Sequence, residues 1–362
     1  MPQSFEILGL MSGSSLDGLD LAWCRFYRIS QGAPFSYEIM AAECRPFPQS
    51  LKDKLAHCRE MTAIQLIEAE VEFLGFSATA IKELCKATGH FPLAVASHGH
   101  TVFHDPSAGY SVQIGNGGIL SGLCGLPVVS DFRTLDVGLG GQGAPLVPGS
   151  EAELFSEYDA CLNLGGICNV SFPKGANARG FDIGPCNQLL NFVSLQLGYE
   201  YDAGGRFAAS GNLIPELLQA LDVVPYYNLP SPKSLSNESV AEIWLPLLQP
   251  WMENPSDVLH TLCQHITTKI ADALPLGGRL LVSGGGAFNS FLMERLSRKL
   301  GAAWHIELGN ENLAGFKEAL CFAWLGLKRL LEEENVPASV TGAKQNSVSG
   351  ALYGINPVLK KP

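Results

Sequence analysis

Charge is scarce in this sequence, and what there is leans one way. Only 16% of the 362 residues are charged, with 24 Lys and Arg against 35 Asp and Glu, for a formal net charge of −11. No cluster of Lys and Arg interrupts that balance, which excludes a nucleic-acid binder, because gripping a phosphate backbone needs a basic face. No apolar run approaches the ~20 residues that span a bilayer, so no membrane partner is expected. The N-terminal Met-Pro-Gln-Ser-Phe-Glu-Ile-Leu has neither the basic nor the apolar region of a secretory leader. Cysteine is present, but paired cysteine is not: the ten sit at 24, 44, 58, 85, 124, 161, 168, 186, 263 and 321, with no C-x-x-C. That spacing argues against a zinc framework or a disulfide scaffold and for buried thiols in a reducing compartment, so a soluble, cytoplasmic protein is expected. Short-period repeats and low-complexity tracts are also missing. At 46% apolar residues the chain is well able to bury a core, and its length suits two domains of about 150 residues or slightly more.

Two turns stand out. Gly9-Leu-Met-Ser-Gly-Ser-Ser-Leu-Asp-Gly-Leu-Asp20 and Asn163-Leu-Gly-Gly-Ile-Cys-Asn169 each run from an apolar strand through a Gly/Ser/Asn turn into a second apolar strand. Either alone reads as a tight hairpin. Together, half a chain apart, they suggest a duplicated fold whose bare backbone N–H groups hold a polyphosphate from both sides. An acidic chain that binds such an anion relies on backbone donors, helix N-termini and a divalent cation.

The remaining pattern alternates strands and helices. A hairpin is expected over about 5–27, and apolar residues at Ile64, Ile67, Val71, Leu74 and Phe76 recur at helical spacing in a helix reaching about Ala87. Short strands follow at 93–97 and 127–133, and the Gly- and Pro-rich stretch 138–148 reads as a hinge and domain boundary. The second half repeats the plan: a hairpin at 160–172, a strand at Gly180-Phe-Asp-Ile, a helix started by Pro185, then helices at about 256–274 and 289–300 flanking a strand at 279–283. A last helix from about Gly315 to Glu334 and a small strand at 347–353 close the chain. The expectation is α/β with mixed sheets, split into 1–148 and 149–362.

Several residues could carry chemistry. Gly138-x-Gly140-x-x-Gly143 matches a dinucleotide fingerprint in letters only, since Pro145 and Pro148 stand where its helix should begin. Gly284-Gly-Gly-Ala-Phe-Asn289 after a strand is either an ordinary strand-to-helix turn, with Asn289 as cap, or a surface on which a purine nucleoside lies. Asp182, between Gly180 and Gly184, is either a cap near a helix N-terminus or a general base. His98, His100 and His104 occupy even positions, so a metal site is weighed against the favoured reading of polar residues lining a cleft. Asp131 and Arg133 form either an internal salt bridge or substrate contacts, Arg being suited to a carboxylate.

These stretches, with Ser97-His-Gly-His-Thr-Val-Phe-His-Asp-Pro106, Val112-Gln-Ile-Gly115, Asp131-Phe-Arg133 and Gly140-Gly-Gln-Gly-Ala-Pro-Leu-Val-Pro148, run in order over nearly the whole chain and resemble the anhydro-N-acetylmuramic acid kinase family. The resemblance implies two ribonuclease-H-like, actin-like ATPase domains with mixed sheets around an interdomain cleft. It implies an ATP-dependent sugar kinase that opens and 6-phosphorylates 1,6-anhydro-N-acetylmuramic acid, using ATP and Mg²⁺, usually as a homodimer. Carried onto this sequence, it makes Asp182 the catalytic base. Gly13, Ser14, Ser15, Leu16, Asp17, Gly18, Gly165, Gly166, Asn169, Gly284, Gly285, Gly286 and Asn289 become ATP contacts. His98, Asp131, Arg133 and Asn187 become sugar contacts, and Asp17 and Glu318 the magnesium side, although Glu318 also reads as a surface glutamate. The sequence departs from the family pattern at Ser14 (usually Thr), His100 (usually Gln), Cys168 (usually Ser) and Cys186 (usually Gly). Two other readings stay open: a kinase for another anhydrosugar such as levoglucosan, and a non-catalytic nucleotide-gated sugar sensor.

Overall fold

The structure, a computed structural model, describes residues 3–13, 16–174, 179–231 and 233–354. The chain divides into two compact units, Met1–Leu154 with Phe316–Pro362, and Phe155–Gly315.

In the first unit β1 (Gln3–Ser12), β2 (Leu19–Arg28) and β3 (Ser36–Arg45) form an antiparallel meander, and β4 (Ala94–Ser97) lies parallel to β1. The expected first hairpin is therefore present, with Ser12 paired to Leu19 at its tip. A separate two-stranded ribbon joins β5 (His100–Asp105) to β6 (Tyr110–Ile114), and β7 (Val128–Ser130) runs parallel to β4. Central strand β1 buries Ile7, Leu8, Gly9 and Leu10 in succession, the near-continuous apolar run of a strand covered on both faces. One cover is the helix Ala63–Thr88, which begins in a capping box made by Thr62 and Gln65 and ends at Gly89 in the left-handed conformation. Its buried side is Phe73, Leu74, Ala78 and Ile81, while Ile64, Ile67 and Val71 stay exposed, so the expected apolar stripe holds only in its later turns.

The second unit repeats this topology. β8 (Ala160–Leu164), β9 (Ile167–Phe172) and β10 (Arg179–Pro185) form an antiparallel meander, and β11 (Gly278–Ser283) and β12 (Trp304–Leu308) add in parallel beyond β8. The spatial order β10-β9-β8-β11-β12 thus matches β3-β2-β1-β4-β7 strand for strand and in every sense of pairing. This bears out the expectation of two ribonuclease-H-like α/β domains with mixed sheets. The core of the second unit gathers Leu162, Val282, Trp244 and the inner face of the helix Pro255–Ala273, including Val258, Leu262, Ile266 and Ile270.

The division differs from the one expected at 148/149. The helix Val147–Leu154 belongs to the first unit, where Glu151 forms a buried 2.7 Å ion pair with Lys317 and Glu153 accepts from the Phe35 N–H at 2.7 Å. From Phe316 the chain returns to the first unit. The helix Glu311–Leu330 has non-helical torsions at Phe316 (φ −123°, ψ 19°), and the strand Ala351–Tyr353 pairs antiparallel with β7 as a sixth strand. The stretch 138–148, expected to hinge, is fastened inside that unit. The Asp136 carboxylate accepts from the Gly143 N–H at 2.7 Å and the Thr341 hydroxyl at 2.6 Å, and the Gln142 N–H donates to the Thr341 carbonyl.

The returning helix is seated on β1 by the absence of a side chain. A Cβ on Gly9 would lie 1.9 Å from the Ala319 carbonyl oxygen, a backbone atom that cannot step aside cheaply. Gly9→Ala should therefore cost about 2–3 kcal/mol through overpacking. Gly75→Ala, on the helix Ala63–Thr88 with nothing within 4 Å of its added Cβ, should instead gain about 0.5–1 kcal/mol. Urea unfolding of the two variants against the parent reads both signs in one series.

Candidate active site

The tip of the first hairpin is built for close approach. Gly18 is the one residue type that fits its place, since a Cβ there would lie 2.5 Å from the Arg45 carbonyl and 2.7 Å from Cys44 Sγ. Leu16 adopts a left-handed φ of 57°, and its N–H donates to the Gly13 carbonyl at 3.4 Å. Ser14 and Ser15 lie outside the described residues.

Behind this tip three carboxylates share one neighbourhood. Burial raises the Asp20 carboxyl to about 7; the Cys44 thiol, donating to it, opposes that rise, and the charges of Asp17 and Glu318 add to it. The Cys44 thiol is itself pushed up to about 12 by burial and by Asp20. Burial likewise raises Glu318, with Lys317 and Arg133 pulling the other way. Glu318 is half-buried on the returning helix rather than a surface glutamate. Sequence reasoning named Asp17 and Glu318 and missed Asp20, although the Asp17-Gly-Leu-Asp20 spacing put it in view.

A buried histidine and an arginine pair in the same unit. His98 is buried, and its Nδ1 donates to the Gly99 carbonyl at 2.9 Å, since a carbonyl can only accept. Its Nε2 therefore accepts, from Arg133 Nε at 3.1 Å and Nη2 at 2.8 Å. Burial and the neighbouring guanidinium hold His98 well below the usual histidine range, so it is neutral. Arg133 Nη1 donates to the Gly143 carbonyl at 2.6 Å, and burial brings its guanidinium down to about 10. Arg133 thus turns to His98 and Gly143 and makes no pair with Asp131. Asp131 is exposed at φ 57° and accepts from the Thr134 N–H at 3.2 Å.

The three histidines do not converge. His100 Nδ1 meets the Ser12 hydroxyl at 3.0 Å and is pushed down to about 4 by burial, while His104 Nδ1 meets the Ser111 hydroxyl at 2.9 Å. Among the described residues no three His, Cys, Asp or Glu side chains are grouped to hold a metal ion.

In the second unit the glycine-rich turn lies on the second hairpin tip. Gly284 has φ 85°, and a Cβ there would meet Asn163 Oδ1 at 2.6 Å and the Leu164 backbone at 2.8 Å. A Cβ on Gly286 would meet Leu164 Cβ at 2.7 Å and Asn187 Oδ1 at 3.1 Å. Asn187 Nδ2 donates to the Leu164 carbonyl at 2.8 Å, and the first N–H groups of the helix Asn187–Leu195 close onto the carbonyls of Gly165 and Gly166. Gly165, Gly166, Gly284, Gly285, Gly286 and Asn187 therefore form one surface, so Asn187 stands with the residues expected to contact nucleotide. Asn289 caps the helix Ser290–Leu300 by accepting from the Leu292 N–H at 3.0 Å. Asn169 sits further along β9, opposite Asp182.

Asp182 projects from β10 at a register shift, with Asp182 opposite Asn169 and Gly184 opposite Cys168. It caps no adjacent helix. The strand runs on through Pro185, which does not start the helix as expected, and Cys186 precedes the helix without a side-chain cap. Instead Asp182 Oδ2 accepts from the Leu235 N–H at 2.9 Å, the Asp182 N–H donates to the Lys233 carbonyl at 2.9 Å, and the Tyr226 hydroxyl donates to the Asp182 carbonyl at 2.7 Å. Sequence reasoning missed these three partners.

The model of the anhydro-N-acetylmuramic acid kinase family matches residues 5–355. The chain belongs to that family. Enzymes named anhydro-N-acetylmuramic acid kinase from Nitrosomonas europaea and Pseudomonas putida are similar to it at 37% and 39% identity, over 96% of this chain and 99% and 98% of theirs. The one from Sulfurovum sp. is 36% identical, again over 96% of this chain. This member of the family is accordingly a nucleotide-using sugar kinase. Among its described residues no helix is long and apolar enough to cross a membrane.

The raised carboxyl of Asp20 gives a stability slope with a definite sign. Unfolded, the group ionises near 3.8; folded, it holds its proton to about 7, so the folded state binds more protons in between. Stability should then fall as pH rises through that window, by at most about 1.4 kcal/mol per pH unit. Asp20→Asn should flatten this slope and raise the melting temperature relative to the parent at pH 8, with the advantage shrinking toward pH 4. Thermal melts across that range without divalent cations read the effect, and equal slopes in both proteins would refute it.

Proposed function

We propose that this protein uses ATP to convert 1,6-anhydro-N-acetylmuramic acid into N-acetylmuramic acid 6-phosphate. The observation that carries this reading is Asp182, a carboxylate set at a strand irregularity with its Oδ2 accepting from the Leu235 N–H, a group able to take a proton as a general base does. Asp182 takes a proton from water as the water oxygen bonds to the anomeric carbon. The bond from that carbon to the bridging oxygen breaks, and the freed 6-oxygen bonds to the γ-phosphorus as the bond to ADP breaks.

The backbone of 13–18 and of Gly165–Gly166 donates to phosphate oxygens, Asn169 lies along the same hairpin, and Gly284–Gly286 with Asn289 receives the adenosine. Arg133, oriented by neutral His98, binds the lactyl carboxylate, with Asp131 at its side. That assignment favours a muramyl sugar over an anhydrosugar without a carboxylate. The carboxylates of Asp17 and Glu318, joined by Asp20, offer hard oxygen donors of the kind Mg²⁺ takes. Mg²⁺ keeps several waters and binds through one or two carboxylates and phosphates, which such side chains can supply. When bound, Mg²⁺ would neutralise charge on the transferred phosphoryl group. We further propose that the protein acts in the cytoplasm as a homodimer, a reading that the family resemblance supports.

Asp182→Asn keeps size but cannot accept the proton, so turnover should drop by at least ~10²-fold with ATP and sugar binding little changed. In oxygen-18 water the parent should place label on the anomeric hydroxyl and none on the transferred phosphate. ATP consumption over a panel of anhydro and reducing sugars tests the substrate, and a fully active Asn variant would return Asp182 to a structural role. Arg133→Met should raise KM for the muramyl sugar by about 10-fold or more, and leave ATP binding unaltered.

A further inference from the structure

Three groups of Asp182 are bonded to a segment that begins 44 residues further along the chain. Its N–H meets the Lys233 carbonyl, its carbonyl receives the Tyr226 hydroxyl, and its Oδ2 receives the Leu235 N–H. The segment is tied to itself: Lys233 Nζ donates to the carbonyls of Tyr226 and Tyr227 at 3.2 and 3.3 Å and lies 4.6 Å over the Tyr226 ring. It is also anchored below. The Asp222 carboxylate meets His265 Nδ1 at 2.8 Å, His265 Nε2 meets the Tyr227 hydroxyl at 2.8 Å, and that oxygen receives Trp244 Nε1 at 3.2 Å. With Nδ1 donating to the carboxylate, Nε2 is the acceptor, so every donor in this chain has its acceptor. The Tyr227 ring lies against Gly184, where a Cβ would meet its hydroxyl and ring carbon at 3.0 Å. The anchored ring therefore braces β10 just past the irregularity that presents Asp182.

From this geometry we propose that Tyr226 and Lys233 are positioning residues for Asp182, forming with Leu235 a strap that sets the height and direction of its carboxylate. The inference rests on Asp182 being the base. Tyr226 and Lys233 touch neither sugar nor nucleotide in this account. They act by holding a carboxylate whose usefulness falls off steeply with misplacement.

Tyr226→Phe removes the hydroxyl and keeps the ring that packs edge-on against Trp244, with centroids 5.9 Å apart, so the fold should survive. Its kcat should fall about 10- to 100-fold, while KM for ATP and for the sugar stays within about twofold. Lys233→Met should do the same, and Lys233→Arg, which can still bridge the two carbonyls, should recover most of the loss. The decisive measurement is Tyr226→Phe combined with Asp182→Asn: acting through Asp182, the tyrosine change should add little once the carboxylate is gone. An unchanged kcat in both Tyr226→Phe and Lys233→Met would overturn the proposal. So would a Tyr226→Phe loss of equal size with and without the Asp182 carboxylate, which marks a general structural effect. Full activity of Asp182→Asn alone would instead overturn the reading of the base, and the two failures are thereby told apart.

Discussion

The close contact between Gly9 and Ala319 governs the first unit. Because β1 has no side chain at that point, the returning helix Glu311–Leu330 settles directly on the central strand, and its register is fixed there. Glu318 is the neighbour of Ala319, so the same contact delivers its carboxylate to Asp17 and Asp20 and its charge to Arg133. A packing constraint in the core thus decides the electrostatics of the hairpin tip. The Lys317–Glu151 pair on the other side of Glu318 is buried and closely matched, which holds the helix from turning.

The two units carry different chemistry on one topology. The first concentrates charge: carboxylates behind the 13–18 tip, and a guanidinium whose direction is set by a neutral histidine. The second concentrates bare backbone, with a glycine turn on the hairpin tip and an aspartate whose carboxylate accepts from an amide and whose main-chain carbonyl accepts from a phenol. The proposed reaction draws on both, backbone donors that tolerate the close approach of an anion and a carboxylate able to take a proton.

Much of this was legible in the sequence where the signal is local. Both hairpins, the helix closed by Thr62 and Gly89, and the cap at Asn289 follow from apolar runs bounded by Gly, Asn and Thr. Asp182 was legible from its glycine neighbours and the family pattern. Strand β3 was not, because Ser-Tyr-Glu-Ile-Met-Ala-Ala-Glu-Cys-Arg lies half-exposed and never gathers an apolar run. Nor could local pattern show that 316–354 rejoins the first sheet, or that 138–148 is tied down by Asp136 and Thr341, partners 205 residues apart. Tyr226 and Leu235 escaped for the same reason, lying 44 and 53 residues from the aspartate they bond, one at its carbonyl and the other at its carboxylate.

The matching strand orders let positions be equated between the copies. Along the ladders β2–β3 and β9–β10, counted from the first pair of each, the third is Leu21 with Glu43 in the first unit and Asn169 with Asp182 in the second. An acid stands at the same rung of both ladders. In the first copy it is claimed by a guanidinium, Glu43 accepting from Arg45 Nε at 2.7 Å, two residues along its own strand. In the second the corresponding neighbour along the strand is Gly184, and no cation follows it there. One ladder position thus holds an acid in two settings, tied to a guanidinium of its own strand in the first copy and to a backbone N–H 53 residues away in the second.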